Sequence, residues 1–139
     1  MRKTYEHQVT LADTALAMGS GEVPVLATPR LVAWMEAASM EAVREYLEEG
    51  QTTVGTEVRV EHSKGVPVGG LVNVAVGKPV KDGRRLLFHV TVTDAEGNEV
   101  ATGSVARARV DTAKFMAKCH GLSDATASLP IIKVGPPPK

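Results

Sequence analysis

Residues 28–49 read TPRLVAWMEAASMEAVREYLEE and are closed by Gly50. The Thr28 hydroxyl suits a helix cap, and Pro29 suits the first turn, where its missing N–H costs nothing. Gly50 supplies a stop. At 1.5 Å per residue this predicts a rod of about 30 Å, the only long helical pattern in the chain. Leu31, Trp34, Met35, Ala38 and Ala42 form one apolar stripe, and Val32, Met40, Val43 and Leu47 form a second beside it. A helix apolar on several sides is buried on several sides. Glu36 interrupts that region, while Arg44, Glu45, Glu48 and Glu49 fall where the pattern becomes amphipathic and meets water.

Beyond Gly50 the period changes from helical to two. Residues 53–62 (TVGTEVRVEH) put Val54, Thr56, Val58 and Val60 on one face, with His62 at the end of that face. Gly55, Glu57, Arg59 and Glu61 fall on the other. Further strands are expected over 71–80, 85–93 and 99–110, with Lys81-Asp82-Gly83-Arg84 and Ala95-Glu96-Gly97-Asn98 as turns. Asp111 is placed to cap a short helix, TAKFMAKC. Before the long helix, residues 5–11 read as a strand. Residues 12–27 read as a connection without periodicity, of a length more often functional than idle. Tight turns demand antiparallel pairing. The order therefore predicts an α+β fold, a five-stranded antiparallel sheet wrapped around one long buried helix. One domain over 1–120 and a proline-rich tail over 121–139 are expected.

Sixteen basic and sixteen acidic residues cancel. No basic block interleaves with aromatics, so nucleic acid and anionic membrane are poor partners. The chain lacks an apolar run of spanning length, and Met1-Arg2-Lys3-Thr4-Tyr5 is followed by polar residues, which reads as a soluble cytoplasmic protein. The single cysteine, Cys119, forms no internal disulfide and suggests no metal site. The doubly apolar helix and the many valines leave surface uncovered in a lone chain, so at least a dimer is expected.

Three residues stand out for chemistry. Glu36 is either an ordinary helix-surface carboxylate or a partly buried acid whose pKa is raised toward the range of proton transfer, with a donor nearby. Thr28 is at least a cap. It precedes Glu36 by eight residues, about 12 Å along the axis, so the two meet only through a substrate that bridges them. A hydroxyl beside free helix N–H groups also suits a developing negative charge. His62 combines a strand end, an inward face and a following Gly/Pro-rich turn. His7 and His89 lie within strands and lack such a context. The chain has no G-x-S-x-G, phosphate-binding loop, H-E-x-x-H or paired-Cys spacing, so no metal or redox cofactor is implied.

The strand–helix–four-strand order resembles the hot-dog fold of acyl-CoA thioesterases. The pattern Ala27-Thr28-(x)7-Glu36 followed by Gly55-Thr56-(x)5-His62 resembles the fluoroacetyl-CoA thioesterase family. Gly83-Arg84-Arg85-Leu86, Gly103-(x)3-Arg107 and Lys114-Phe115-x-Ala117-Lys118 fit the same pattern. The resemblance spans roughly residues 25–118. It implies a homodimer with acyl-CoA bound near the subunit interface, and the residues leave a dimer of dimers open. Thr28, Glu36 and His62 are implied as the catalytic set, and Gly55 and Arg107 as lining or supporting the pocket. Glu36 would act as nucleophile or activate water, His62 would move a proton, and Thr28 would hold the thioester carbonyl or the carboxylate. Where the family's fluoroacetyl-specific member has a longer, aromatic-rich lid, this chain has Gly21-Glu22-Val23-Pro24-Val25-Leu26 without a phenylalanine. Hydrolysis of a small or medium acyl-CoA is therefore implied, and fluorine selectivity is not. A hot-dog hydratase or dehydratase and a non-catalytic acyl-CoA-binding module are the competing readings.

Overall fold

A computed structural model describes residues 2–121. The tail expected over 121–139 lies outside the described residues, apart from Gly121. Six strands and three helices follow in the order β1 (Lys3–Gln8), α1 (Ala15–Met18), α2 (Thr28–Val43), β2 (Gln51–His62), β3 (Leu71–Val76), β4 (Val80–Asp82), β5 (Arg85–Asp94), β6 (Glu99–Asp111) and α3 (Thr112–Cys119). The sheet order is β1-β3-β5-β6-β2, every pair antiparallel, with the short β4 paired to β5. The expected strand over 71–80 is thus two, split at Gly77-Lys78-Pro79, because proline cannot donate to the ladder.

Strict alternation in β3 and β5 buries Val72, Val74, Val76, Leu86, Phe88, Val90 and Val92 on one face of the sheet. Against that face lies α2, burying Leu31, Met35, Ala38, Ser39, Ala42 and Val43. Trp34 adds a stacked contact with His7 of β1, the ring centroids 4.3 Å apart. The first apolar stripe therefore behaves as expected. The second is only partly covered within one chain: Val32 and Met40 are half-buried, and Ala33 and Ala37 beside them are exposed.

Helix α2 ends six residues earlier than its sequence pattern suggests. Arg44–Tyr46 tighten into a 3-10 turn. Glu45, Glu48 and Glu49 put negative charge where the helix dipole is already negative, which weakens any further α-turn. The connection over 12–27 is also more ordered than expected. It holds a 3-10 turn at Leu11–Asp13 and the single turn of α1, capped by the Thr14 hydroxyl, which accepts from the Ala17 N–H at 3.1 Å. The closing helix starts as anticipated, with the Asp111 carboxylate accepting from the Lys114 N–H at 2.9 Å.

The alternation expected along β2 does not survive. The β2–β6 register shifts between Gly55 and Glu57, a bulge in which an extra residue on one strand reverses the inward–outward phase. Before it, Thr53 and Gly55 face α2; after it, Val58, Val60 and His62 do. Val54 and Thr56 consequently line the opposite face of the sheet, where α3 lies. No helix among the described residues is long and apolar enough to cross a membrane.

At the β5–β6 turn, the Asp94 carboxylate accepts from the N–H groups of Glu96 (3.0 Å) and Asn98 (2.9 Å) and pairs with Lys64. Chiefly through Lys64, these contacts hold its pKa down to about 2. The unfolded carboxylate, at about 3.9, binds its proton first as pH falls. Its stabilisation is therefore complete above about pH 4 and is lost as pH drops through about 2. Thermal unfolding followed from pH 5 to pH 2 is expected to show a fall in midpoint that is shallower in Asp94→Asn, a variant less stable than wild type at pH 5. Parallel curves would exclude this carboxylate as a source of acid sensitivity.

Candidate functional site

Two polar clusters flank the exposed side of α2. The first joins Thr28 to His62, residues 34 positions apart. The segment before the helix is tied to the turn after β2: the Leu26 N–H donates to the Val66 carbonyl at 2.8 Å, and Val25 bridges Pro67. That tether sets the start of α2 beside the end of β2. Thr28 does not cap the helix, contrary to the sequence expectation. The cap is Ala27, with no side-chain bond, and Thr28 is already the first helical residue. Its hydroxyl is free for another partner, and Oγ1 lies 2.8 Å from Nδ1 of His62. Nε2 of the same ring is buried and has no hydrogen-bond partner among the described residues. When the Thr28 hydroxyl donates to Nδ1, Nε2 carries the ring proton; when Nδ1–H donates to the hydroxyl, Nε2 is a free base.

The second cluster is built around Arg107 of β6, which is only 7% exposed. Its Nε donates to the Thr53 hydroxyl at 2.7 Å, Nη2 to the Thr53 carbonyl at 3.3 Å, and Nη1 to the Ser39 hydroxyl at 3.4 Å. Nη1 also lies 3.8 Å from Oε2 of Glu36. Burial pulls the guanidinium below its ordinary pKa, and the negative charge of Glu36 counters part of that. The Glu36 side chain is 41% exposed in the single chain, so it is a half-buried acid beside a buried cation. Gly55 makes room for it: a Cβ there would lie 2.6 Å from Oε2 of Glu36.

The chain thus brings Thr28 to His62, and Glu36 to Gly55 and Arg107. It does not bring Thr28 to Glu36, which are eight residues apart on one helix, about 12 Å along its axis. Two residues that fix the guanidinium, Ser39 and Thr53, were not singled out from sequence. Ser39 carried a signal, being a hydroxyl at a core-facing position of an apolar helix; Thr53, on a β-rich strand, did not. His7 is occupied with Trp34, and its desolvation lowers its pKa.

An antiparallel sheet packed around one long helix defines the hot-dog class of α+β proteins. The chain belongs to the fluoroacetyl-CoA-specific thioesterase family, whose sequence profile matches residues 9–113. It is 36% identical over 94 residues to the fluoroacetyl-CoA thioesterase of Streptantibioticus cattleyicolor, covering 68% of this chain and 67% of that protein. A crystal structure of a point mutant of the fluoroacetyl-CoA-specific thioesterase, in complex with fluoroacetate and CoA, superposes with a TM-score of 0.76 at 30% identity, covering 83% of this chain and 96% of the other. A hot-dog-like protein from Thermanaerovibrio acidaminovorans shares the fold, with a TM-score of 0.79 at 21% identity over 87% of this chain and 89% of that one.

Removing the guanidinium strands a buried hydroxyl and a buried carbonyl. Arg107→Met is expected to lose about 1–3 kcal/mol in urea unfolding. Arg107→Lys should recover only part of this, because an ammonium cannot reproduce the fork of donors. An unchanged midpoint in Arg107→Met would remove any structural weight from this network.

Proposed function

We infer that the protein hydrolyses the thioester of a small or medium acyl-CoA to the free acid and CoA. Family membership sets the reaction class. The observation that carries the reading to this chain's own residues is the Thr28–His62 hydrogen bond, which orients an imidazole and leaves its other nitrogen buried and unpartnered. In hydrolysis an oxygen attacks the carbonyl carbon, the C–S bond breaks and the departing thiolate takes up a proton. Glu36 either activates the attacking water or attacks itself, and in the second case water then opens the resulting acyl-glutamate anhydride to the free acid and the carboxylate; Arg107 and the bare backbone at Gly55 lie against that carboxylate. His62 handles the proton, and Thr28 fixes the imidazole and faces the carbonyl. Neither the hydratase nor the binding-module reading has a comparable observation behind it.

The active form we propose is a homodimer. Strand β2 is twelve residues long and lies at one edge of the sheet, its outer side unpaired among the described residues. The half-covered face of α2, with Val32, Ala33, Ala37 and Met40, lies beside it. An unpaired edge next to an apolar face suits a second copy. Pairing two β2 strands antiparallel about a two-fold axis carries the His62 end of each toward the Gly55–Glu36 end of the other. That removes the separation of the two clusters seen in one chain. The acyl group we propose is not specifically fluorinated, since residues 21–26 before the helix hold no aromatic side chain and leave Val23 exposed. A single cysteine and a CoA ester as substrate agree with a cytoplasmic setting.

Thiol release from acetyl-, fluoroacetyl-, butyryl-, hexanoyl- and phenylacetyl-CoA tests the reaction. Cys119 is exposed and adds one fixed thiol per chain, so only continuing release counts as turnover. Wild type is expected to turn over at least one of these, with Glu36→Ala and His62→Ala each slower by about 10²-fold or more. No turnover by folded wild type that still binds CoA would favour the binding module instead. Light scattering should give at least twice the 14.7 kDa chain mass, and a 14.7 kDa species would exclude the dimer.

A further inference from the structure

Arg107 stands directly opposite Gly55 in the β2–β6 ladder, and Thr53 stands opposite Arg109. Thr53 and Arg107 are therefore diagonal neighbours on the face of the sheet turned to α2. Gly55 adds no side chain beside them, and a Cβ there would lie 3.7 Å from Nη1 of Arg107. Both Thr53 and Arg107 are buried, so every hydrogen bond they make has to be found within the protein.

A hydroxyl has one hydrogen to give and lone pairs to receive with, whereas a guanidinium only donates. The Thr53 hydroxyl gives its hydrogen to Sδ of Met40 at 3.6 Å and accepts from Nε of Arg107 at 2.7 Å. The Thr53 carbonyl accepts from Nη2 at 3.3 Å. One residue thus grips the rigid fork of donors at two of its corners, which fixes the plane of the guanidinium as well as its place. Ser39 adds a longer contact: its own hydrogen goes to the Glu36 carbonyl, and it accepts from Nη1 at 3.4 Å. These bonds commit three of the five N–H groups of Arg107. Nη1 keeps one N–H uncommitted, and Nη1 is the nitrogen that lies 3.8 Å from Oε2 of Glu36. That separation is longer than a hydrogen bond, so a small turn of the plane decides whether this N–H meets the carboxylate or misses it.

We propose that Thr53 is a positioning residue for the chemistry at Glu36, acting through Arg107, an inference that rests on the thioesterase reading. As an oxygen attacks the thioester, negative charge passes to the carbonyl oxygen of the substrate next to Glu36. A cation whose plane is already set faces that charge without reorganising. Removing the Thr53 hydroxyl takes the acceptor from Nε and lets the plane turn. The consequence falls on the rate of reaction and not on the affinity for acyl-CoA, because Thr53 is buried and reaches Glu36 only through Arg107.

Thr53→Val keeps the branched shape and removes the hydroxyl. It is expected to lower kcat by roughly tenfold to a hundredfold while KM for the acyl-CoA stays unchanged. Thr53→Ser, which restores the hydroxyl, should recover most of that loss. Val90→Ala opens a cavity in the core on β5 and loses stability too, but its kcat should be that of wild type. A wild-type kcat in Thr53→Val, or as large a loss in Thr53→Ser or Val90→Ala, overturns the proposal. A second measurement needs no Thr53 variant to fold. In isotope-labelled wild type, the Nε–H of Arg107, identified by its loss in Arg107→Lys, should exchange with water about tenfold or more slowly than those of exposed Arg84 and Arg85. Exchange as fast as theirs also overturns the proposal. If wild type turns over no thioester, the thioesterase reading fails and the proposal with it; failure of the proposal alone shows as wild-type turnover that persists in Thr53→Val.

Discussion

A guanidinium buried to 7% exposure cannot be left without partners, and the middle of this fold is arranged around that constraint. Arg107 takes a hydroxyl and a carbonyl from Thr53, a hydroxyl from Ser39 and the nearby charge of Glu36. Those groups come from β2, from the core-facing side of α2 and from its exposed side, so one side chain of β6 fixes how helix and edge strand approach each other. Ser39 also donates to the Glu36 carbonyl at 2.7 Å, which ties the hydroxyl to the helix turn it serves. Burying a cation here is costly in free energy. What it places beside the half-exposed Glu36 carboxylate is a positive charge 3.8 Å away.

The other cluster is secured by different means. Thr28 and His62 meet through backbone: the strap before α2 bonds to the turn after β2, and a hydroxyl released from capping duty spans the remaining gap. One cluster is thus held by a buried charge and the other by a tethered loop. The second is the looser restraint, and it lies next to the segment of 12–27 that carries exposed Leu16, Met18 and Val23.

Much of this was legible in the chain because it is local. The start of α2, its first apolar stripe, the glycine turns and the one-faced alternation of β3 and β5 all follow from neighbours a few positions apart. The features that were not legible depend on distant partners. Residues 53–62 alternate without interruption as a sequence, and only the pairing with β6 reveals that Gly55 and His62, opposite in phase, face the same helix. Thr28 is a good cap by type, and nothing near it indicates that a histidine 34 residues away takes its hydroxyl. Arg107 and Arg109 look alike in an ARAR run, yet one is buried and the other lies at the strand's end. Arg107 was singled out through family resemblance and not through its own surroundings.

The bulge in β2 also bears on how such a protein can change over time. A regular strand couples all its residues, since inserting or deleting one position sends every later side chain to the opposite face. Here that coupling is already interrupted between Gly55 and Glu57. The half carrying Thr53 and Gly55 answers to Arg107 and Glu36, and the half carrying Val58, Val60 and His62 answers to the core and to Thr28. Substitutions around the histidine need no matching change around the carboxylate. Descendants of such a chain can therefore vary what surrounds the histidine while the carboxylate stays where it is.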